Sequence, residues 1–318
     1  MTEVGDETKH VSNFLIPEGR SLMEQKAKAL VGGIKKNYFI AVTLFPAILV
    51  LGGFVYWPAI HSFYLSLFRT RLFTAVEFIG FQHYVSVLTD PIFWIGVRNT
   101  VYYAFFAIIG GLVIGLMMAM ILHGSMRFKG FFRTVFFAPY IIPMAAYTLL
   151  WWWIFDPRYG LVNIMLAWIG IDPIPWLTSR EWVLHAFILM TIWKRAGFHM
   201  VLFSSGLSTI PGELYEASLV DGANTVRRFF HITLPMLRPV TLFSVIMAFL
   251  HTFQLFTEPY VITRGGPGHA STTIVYQIYN ESFQRMNIGR ASAMATILFI
   301  MILLFTWLIM RKFDLKEL

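Results

Sequence analysis

Three clusters of polar side chains stand out against an otherwise apolar chain, and each has a definite chemical capacity. The first is Glu216-Ala-Ser-Leu-Val-Asp-Gly222, followed by Ile232-Thr-Leu-Pro235. Acids, a glycine and a proline in a polar stretch between two apolar runs make a rigid insert that a partner protein can grip. The second is Lys194-Arg195 with His199 four residues on. They lie inside an apolar run, where a cation needs a counter-charge, water or an anionic solute. The third is His251, Gln254 and Glu258, spaced i, i+3, i+7, which on a helix share one face. Phe253, Phe256 and Tyr260 stand beside them as rings whose faces can stack. Two readings of that face stay open, the lining of an aqueous cavity or hydrogen bonding to a partner helix.

Enzyme chemistry finds no support. The chain has no G-x-S-x-G, no H-E-x-x-H and no close set of histidines and acids. With no cysteine, disulfides, thiolate metal sites and cysteine nucleophiles are excluded. G-x-x-x-x-G-K-[ST] is absent as well, so ATP is not held in a P-loop; Gly265-Gly-Pro-Gly268 lacks the following Lys-Ser/Thr and the preceding strand. The chain is expected to be a non-enzyme with no cofactor or metal of its own.

The elements that position these clusters follow from composition. Of the 318 residues, 57% are hydrophobic and only 13% charged, with a mean hydropathy of +0.64. A water-soluble domain of that make-up would expose large apolar patches. The chain is therefore read as an all-α, polytopic membrane protein, its long apolar runs lacking the alternation of barrel strands. About 20 apolar residues span the hydrocarbon core once. Six segments qualify: Tyr38–Ile60, Thr100–Leu122, Thr134–Phe155, Trp182–Ser204, Val240–Ile262 and Ala291–Met310. Basic residues cluster on one side of this arrangement, in the segment before residue 38, at Arg127, Lys129 and Arg133, in the insert and in the tail. They are about twice as many as in the opposite connections, which makes both termini and the insert cytoplasmic. The net charge of +8 then reflects topology and contact with lipid headgroups, with no nucleic acid partner.

Residues 1–37 lack an apolar core and are no cleaved signal peptide. Ser21–Ile34 is expected to form a short amphipathic helix on the inner surface, ending near Gly32-Gly33, and disorder is the alternative for about the first ten residues. Residues 38–310 form the membrane domain and 311–318 a cytoplasmic tail. Trp151–Trp153, Trp176 and Trp182 are expected at the membrane boundary.

Within the insert, at about 206–238, Ser208 and Thr209 are helix-starting types, and a helix is expected from Pro211 to Asp221. Gly222 ends it, either through a left-handed backbone or by letting the next helix come close. A second helix over Asn224–Ile232 is stopped by Pro235. On these grounds alone the insert is either a docking knob or an elbow joining the fourth and fifth spans.

The spacing Glu216-Ala-Ser, three residues, Gly222, nine residues, Ile232, one residue, Leu234-Pro235 resembles the EAA loop of permease subunits in binding-protein-dependent ABC importers. The match extends through Asp221-Gly222-Ala223, and Ser218 replaces the usual second alanine. Phe128–Pro139, Tyr159-Gly-Leu-Val-Asn163 with Gly170 and Trp176-Leu177, Gly265-Gly-Pro267 with Ser271-Thr272, and Gly289–Ala293 resemble, in order, the carbohydrate-uptake branch of that family. The resemblance implies a multi-pass protein of the bacterial inner membrane that forms half of a translocation pathway. It implies as partners a second permease in a heterodimer, two cytoplasmic ATPase subunits that bind ATP and Mg, a periplasmic solute-binding protein and a carbohydrate. Glu216, Ala217, Ser218, Asp221, Gly222, Ala223, Leu234 and Pro235 would then couple to the ATPase. Lys194, Arg195, His199, His251, Gln254, Phe256, Glu258 and Tyr260 are the candidates for the solute pathway, the solute being an oligosaccharide, neutral or acidic. A secondary carrier relaying protons through His251 and Glu258 is the rival reading.

Overall fold

The computed structural model describes residues 42–71, 74–124 and 127–312. The helix expected over Ser21–Ile34, the start of the first predicted span and residues 313–318 of the tail lie outside them. The chain divides into two units, residues 1–61 and 62–318. Helix α1 (Val42–Leu65) accounts for the described residues of the first and is apolar on all sides, with one π turn at Gly52–Tyr56.

The second unit opens with a feature the all-helical reading does not contain, an antiparallel hairpin of β1 (Phe68–Arg71) and β2 (Thr74–Phe78). Cross-strand pairs hold it: Phe68 meets Phe78 edge to face at 5.2 Å, and Arg69 bonds Glu77 at 2.6 Å. After α2 (Gln82–Leu88) comes α3 (Pro91–His123), whose 33 residues begin well before the expected Thr100. Its start is set by Asp90, whose carboxylate accepts the Ile92 N–H at 2.8 Å, and by Pro91 in the first turn.

The third predicted span is broken. Helices α4 (Lys129–Ile141) and α5 (Met144–Ile154) meet at 99°. Pro143 forces Ile142 out of the helical region, to φ −59° and ψ 129°, so the helix cannot run through it. The following connection carries α6 (Leu161–Trp168), where Asn163 accepts the Ile174 N–H at 3.1 Å and the Trp176 indole N–H at 3.0 Å. Trp176 is consequently buried against Phe155 and is no boundary anchor. This bond ties together Asn163 and Trp176, two residues of the pattern noted above.

Helix α7 (Val183–Ser208) is the central element; most of its apolar stretch is buried, against a minority for α3. It can lie close because α3 presents a stripe of small residues, Ala104, Ala107, Gly111, Gly115 and Ala119, all buried. A Cβ on Gly115 would stand 2.6 Å from the His199 Cβ and 3.0 Å from the Ala196 carbonyl oxygen. Two short helices follow, α8 (Gly212–Val220) and α9 (Thr225–Met236), the latter turning by 67° into α10 (Arg238–Thr252). Pro235 does not stop α9 as expected. A π turn at Phe229–Thr233 lets the helix run on through Pro235, and the turn comes at Leu237. The fifth predicted span is also interrupted early, at Thr252; an irregular break at residues 253–256, a short helical stretch over residues 257–263 that is π-helical at Pro259–Thr263, and an irregular stretch to residue 273 precede α11 (Ile274–Tyr279) and α12 (Ile288–Lys312). Among the described residues four helices, α1, α3, α7 and α12, are long and apolar enough to cross a membrane, and the bent pairs α4–α5 and α9–α10 bring the number to six if each is one span.

Candidate functional site

Two places in the second unit collect the polar residues singled out in the sequence. The first is a cavity of about 250 Å³ where the middle of α7, the end of α10 and the irregular segment after it converge. Lys194, Arg195, His251, Gln254, Phe256 and Glu258 line it. The shared helical face expected for His251, Gln254 and Glu258 does not exist, because α10 stops at Thr252, where the threonine hydroxyl turns back to the Ala248 carbonyl at 2.9 Å. Side chains brought together by an irregular chain replace the helical stripe. That chain is tied down from below: the Thr273 hydroxyl donates to the Leu255 carbonyl at 2.8 Å, and the Asn99 amide of α3 donates to the carbonyls of His269, Ala270 and Thr272 at 3.0 to 3.1 Å.

His199 and Tyr260 fall outside this lining. His199 is buried in the α3–α7 contact beside Gly111 and Gly115. Tyr260 stacks on Phe256 with ring centres 5.2 Å apart and meets Tyr279 edge to face at 5.0 Å. Conversely, Tyr103 and Thr191 line the cavity and were missed; their hydroxyls share a hydrogen bond of 2.6 Å. Thr191 stands three and four residues before Lys194 and Arg195, so helical spacing alone places it on their face. Nothing in the sequence pointed to Tyr103, which comes from α3.

The two adjacent cations are held differently. The Lys194 ammonium donates to the Pro139 carbonyl at 3.1 Å and the Ile142 carbonyl at 2.6 Å, and lies 4.7 Å from the centre of the Tyr147 ring. These carbonyls belong to the end of α4, where the break leaves helix acceptors without their usual donors. A cation at a helix C-terminus also meets the negative end of the helix dipole. Lys194 thus braces the break. The same turn of α7 touches α4 directly: a Cβ on Gly197 would collide with the Phe136 backbone, and the Phe198 ring stacks on Tyr140 at 4.9 Å. Arg195 is half-buried, lines the cavity and has no hydrogen-bond or ion-pair partner among the described residues. Glu258 is fully buried, and neither of its carboxylate oxygens is bonded among the described residues.

The second place is the insert. Ser208 and Thr209 do not start α8. Their hydroxyls turn back to the Ser205 and Gly206 carbonyls at 2.6 and 2.8 Å and close the end of α7. Pro211 precedes α8, and Gly222 follows it with φ +72° and no atom within 4 Å of where a Cβ would lie. Of the two roles open to Gly222, the left-handed backbone is the one used; the Ala223 N–H then closes on the Ser218 carbonyl at 2.9 Å. Asn224 caps α9 by accepting the Arg227 N–H at 2.8 Å. Ser218 is buried with its hydroxyl on the Tyr215 carbonyl at 2.7 Å, and the Tyr215 hydroxyl shares a bond of 2.9 Å with Thr233. These links make α8 and α9 one rigid piece. Its outward side shows Glu216 beside Leu219 and Val220, the last 89% exposed. A polar recess of about 240 Å³, lined in part by Ser218, Asp221, Ala223 and Arg228, lies between the two helices.

Known proteins are similar to this chain over most of its length. Residues 111–315 match the family model described as the inner membrane component of binding-protein-dependent transport systems. The sulfoquinovosyl glycerol transport system permease protein SmoG of Agrobacterium fabrum is 34% identical over 86% of this chain and 90% of its own. The trehalose/maltose transport system permease protein MalF of Thermococcus litoralis is 32% identical over 86% of this chain and 91% of its own. Among solved structures, a chain of a bacterial ABC transporter that imports the acidic polysaccharide alginate superposes with a TM-score of 0.77 at 24% identity, covering 89% of this chain and 98% of that one, a likeness of fold. The rod of α7, the α8–α9 insert and, of the small-residue contact, Gly111, Gly115 and Ala119 lie within residues 111–315, and the chain belongs to the family of inner-membrane permease components of binding-protein-dependent ABC transport systems.

Proposed function

We propose that this subunit forms one wall of the pathway for a saccharide or glycoside, and that α8 carries the movement of an ATPase subunit to that wall. The observation that supports this most directly is the continuity of α7. One unbroken helix bears Thr191, Lys194 and Arg195 in the cavity and ends at Ser208, next to the insert. From Arg195 to Ser208 it runs about 20 Å at 1.5 Å per residue. A displacement of α8 reaches the cavity through a packed rod, which is what alternating access driven by a partner requires.

The cavity volume lies just below the roughly 300–1,000 Å³ of complete small-molecule pockets. A second permease facing this one would supply the remaining wall. In that assembly a solute-binding protein delivers the saccharide on the periplasmic side, and two ATPase subunits on the cytoplasmic side hold the ATP and Mg. Glu216 is the charged contact of α8, with Leu219 and Val220 as its apolar surround. Ala217, Ser218, Asp221, Gly222, Ala223, Leu234 and Pro235 shape the α8–α9 piece that presents them. The relatives are named for the transport of sulfoquinovosyl glycerol in one case and of trehalose or maltose in the other. The polar lining of Gln254, Thr257 and His251 beside the Phe256 ring suits a polyhydroxylated solute.

The test is solute-stimulated ATP hydrolysis by the complete complex in proteoliposomes with its binding protein. Glu216→Lys is expected to abolish stimulation while leaving the complex assembled, as judged by co-purification of the second permease. Stimulated turnover at the wild-type level in that variant would refute coupling through α8. Uptake that follows a proton gradient with no ATPase subunit present would favour the secondary-carrier reading instead.

A further inference from the structure

We infer that Arg195 is the solute-recognising cation of this cavity, and that the solute is an acidic saccharide or glycoside carrying one anionic group. The inference rests on the pathway proposed above and names the substrate class of that same site. Adjacent in sequence, Lys194 and Arg195 are separated in role by what they touch. Lys194 spends two of its three N–H donors on the Pro139 and Ile142 carbonyls. Arg195 spends none of its five on any described residue, and its guanidinium lines the cavity half-buried. The charges on the lining agree. Lys194 and Arg195 against Glu258 leave one formal positive charge uncompensated.

That excess is tolerable while water fills the cavity. When the pathway closes around a solute, water leaves and an unpaired cation becomes costly. A neutral sugar does nothing for it. A solute with one carboxylate or sulfonate neutralises the wall and offers the planar fork of Arg195 two oxygens at once, the geometry in which arginine binds such groups best. The solute's hydroxyls then face Gln254 and the bare carboxylate of Glu258, which needs donors.

The test measures uptake by the complete complex in proteoliposomes for matched solutes: a uronate disaccharide, a sulfonated glycoside and the uncharged analogue of each. The same binding protein is present in every arm, so any change in the acidic-over-neutral ratio between variants belongs to the permease, and the ratio is independent of how much complex folds. The wild type is expected to favour one of the acids. Arg195→Gln should cut the ratio about tenfold or more, the weight of a charged hydrogen-bonded contact, and Arg195→Lys should keep part of it. Which acid wins identifies the anionic group. Wild-type uptake of the uncharged analogues at the same rate, or a ratio unmoved by Arg195→Gln, would overturn the assignment and leave the saccharide pathway standing. If no solute of either kind is taken up or stimulates ATP hydrolysis, the pathway reading itself falls, and this inference with it.

Discussion

The neighbouring cations of α7 show how far one residue's contacts decide its role. From sequence, Lys194 and Arg195 are equivalent, two charges side by side near the middle of a predicted span. In the fold they diverge because α-helical neighbours point about 100° apart. Both line the cavity, but the Lys194 ammonium is bonded to the broken end of α4 while Arg195 has no partner among the described residues. Lys194 is therefore a positioning residue for the kink. Replacing it with methionine keeps the length and removes the donors, leaving the Ile142 carbonyl without its 2.6 Å partner. The loss of a buried charged hydrogen bond is on the order of 1.5–3 kcal/mol. The expected result for Lys194→Met is a lower thermal midpoint of the purified complex, with the acidic-over-neutral uptake ratio changed less than by Arg195→Gln. A variant that kept its midpoint and lost its selectivity would show that Lys194 faces the solute after all.

Elements were legible where their signals are local and hidden where they depend on a distant partner. The α8 helix and its glycine stop were readable, because proline and glycine act within a few residues. The break between α4 and α5 was written in Pro139 and Pro143 but was outweighed by an apolar run of span length. The early stop of α10 left no such mark; residues 253–258 are held by Thr273, a contact across 18 residues that no periodicity reveals. The hairpin is a similar case, since its docking relies on elements far along the chain. The His83 ring of α2 bonds the Phe68 carbonyl at 3.2 Å, and the Gly289 N–H of α12 bonds the Thr70 hydroxyl at 3.0 Å. Burial, with nearby Arg290 and Arg69, holds the His83 pKa below its ordinary value, although the bond to Phe68 opposes this. A base with a depressed folded pKa favours the neutral form in the native state. Its contribution is complete above the unfolded value of about 6.5 and is lost as pH falls through the lower, folded one. The protection factor of the Phe68–Phe78 hairpin, its hydrogen exchange measured relative to the intrinsic rate at each pH, should fall on acidification below that value, and His83→Gln should flatten the dependence. An equal fall in the variant would place the titrating group elsewhere.

At the scale of the molecule the design is a transmission. The small-residue stripe on α3 seats α7 closely, the braced kink of α4 fixes its other flank, and the hydroxyls of Ser208 and Thr209 seal its end against the insert. Each contact stiffens the same rod, and under the proposed function a force applied at α8 would reach Arg195 without being absorbed on the way. Stiffness between cavity and insert should then matter more than the identity of the residues that provide it. Leu202 and Ser205 lie on that stretch, away from the cavity lining, and Ser205 is exposed. Glycine at both costs about 1 kcal/mol of helix stability apiece and introduces a point of bending. The Leu202→Gly/Ser205→Gly variant is expected to retain solute-independent ATP hydrolysis and to lose most of the increment that solute and binding protein add. Alanine at the same two positions supplies the control, since it truncates the same side chains while preserving the helix. If the glycine pair and the alanine pair lost stimulation equally, the loss would belong to side-chain contacts and not to the rod. If neither lost it, movement would have to pass from the insert to the cavity along α9 and α10, the other helices joining the two sites.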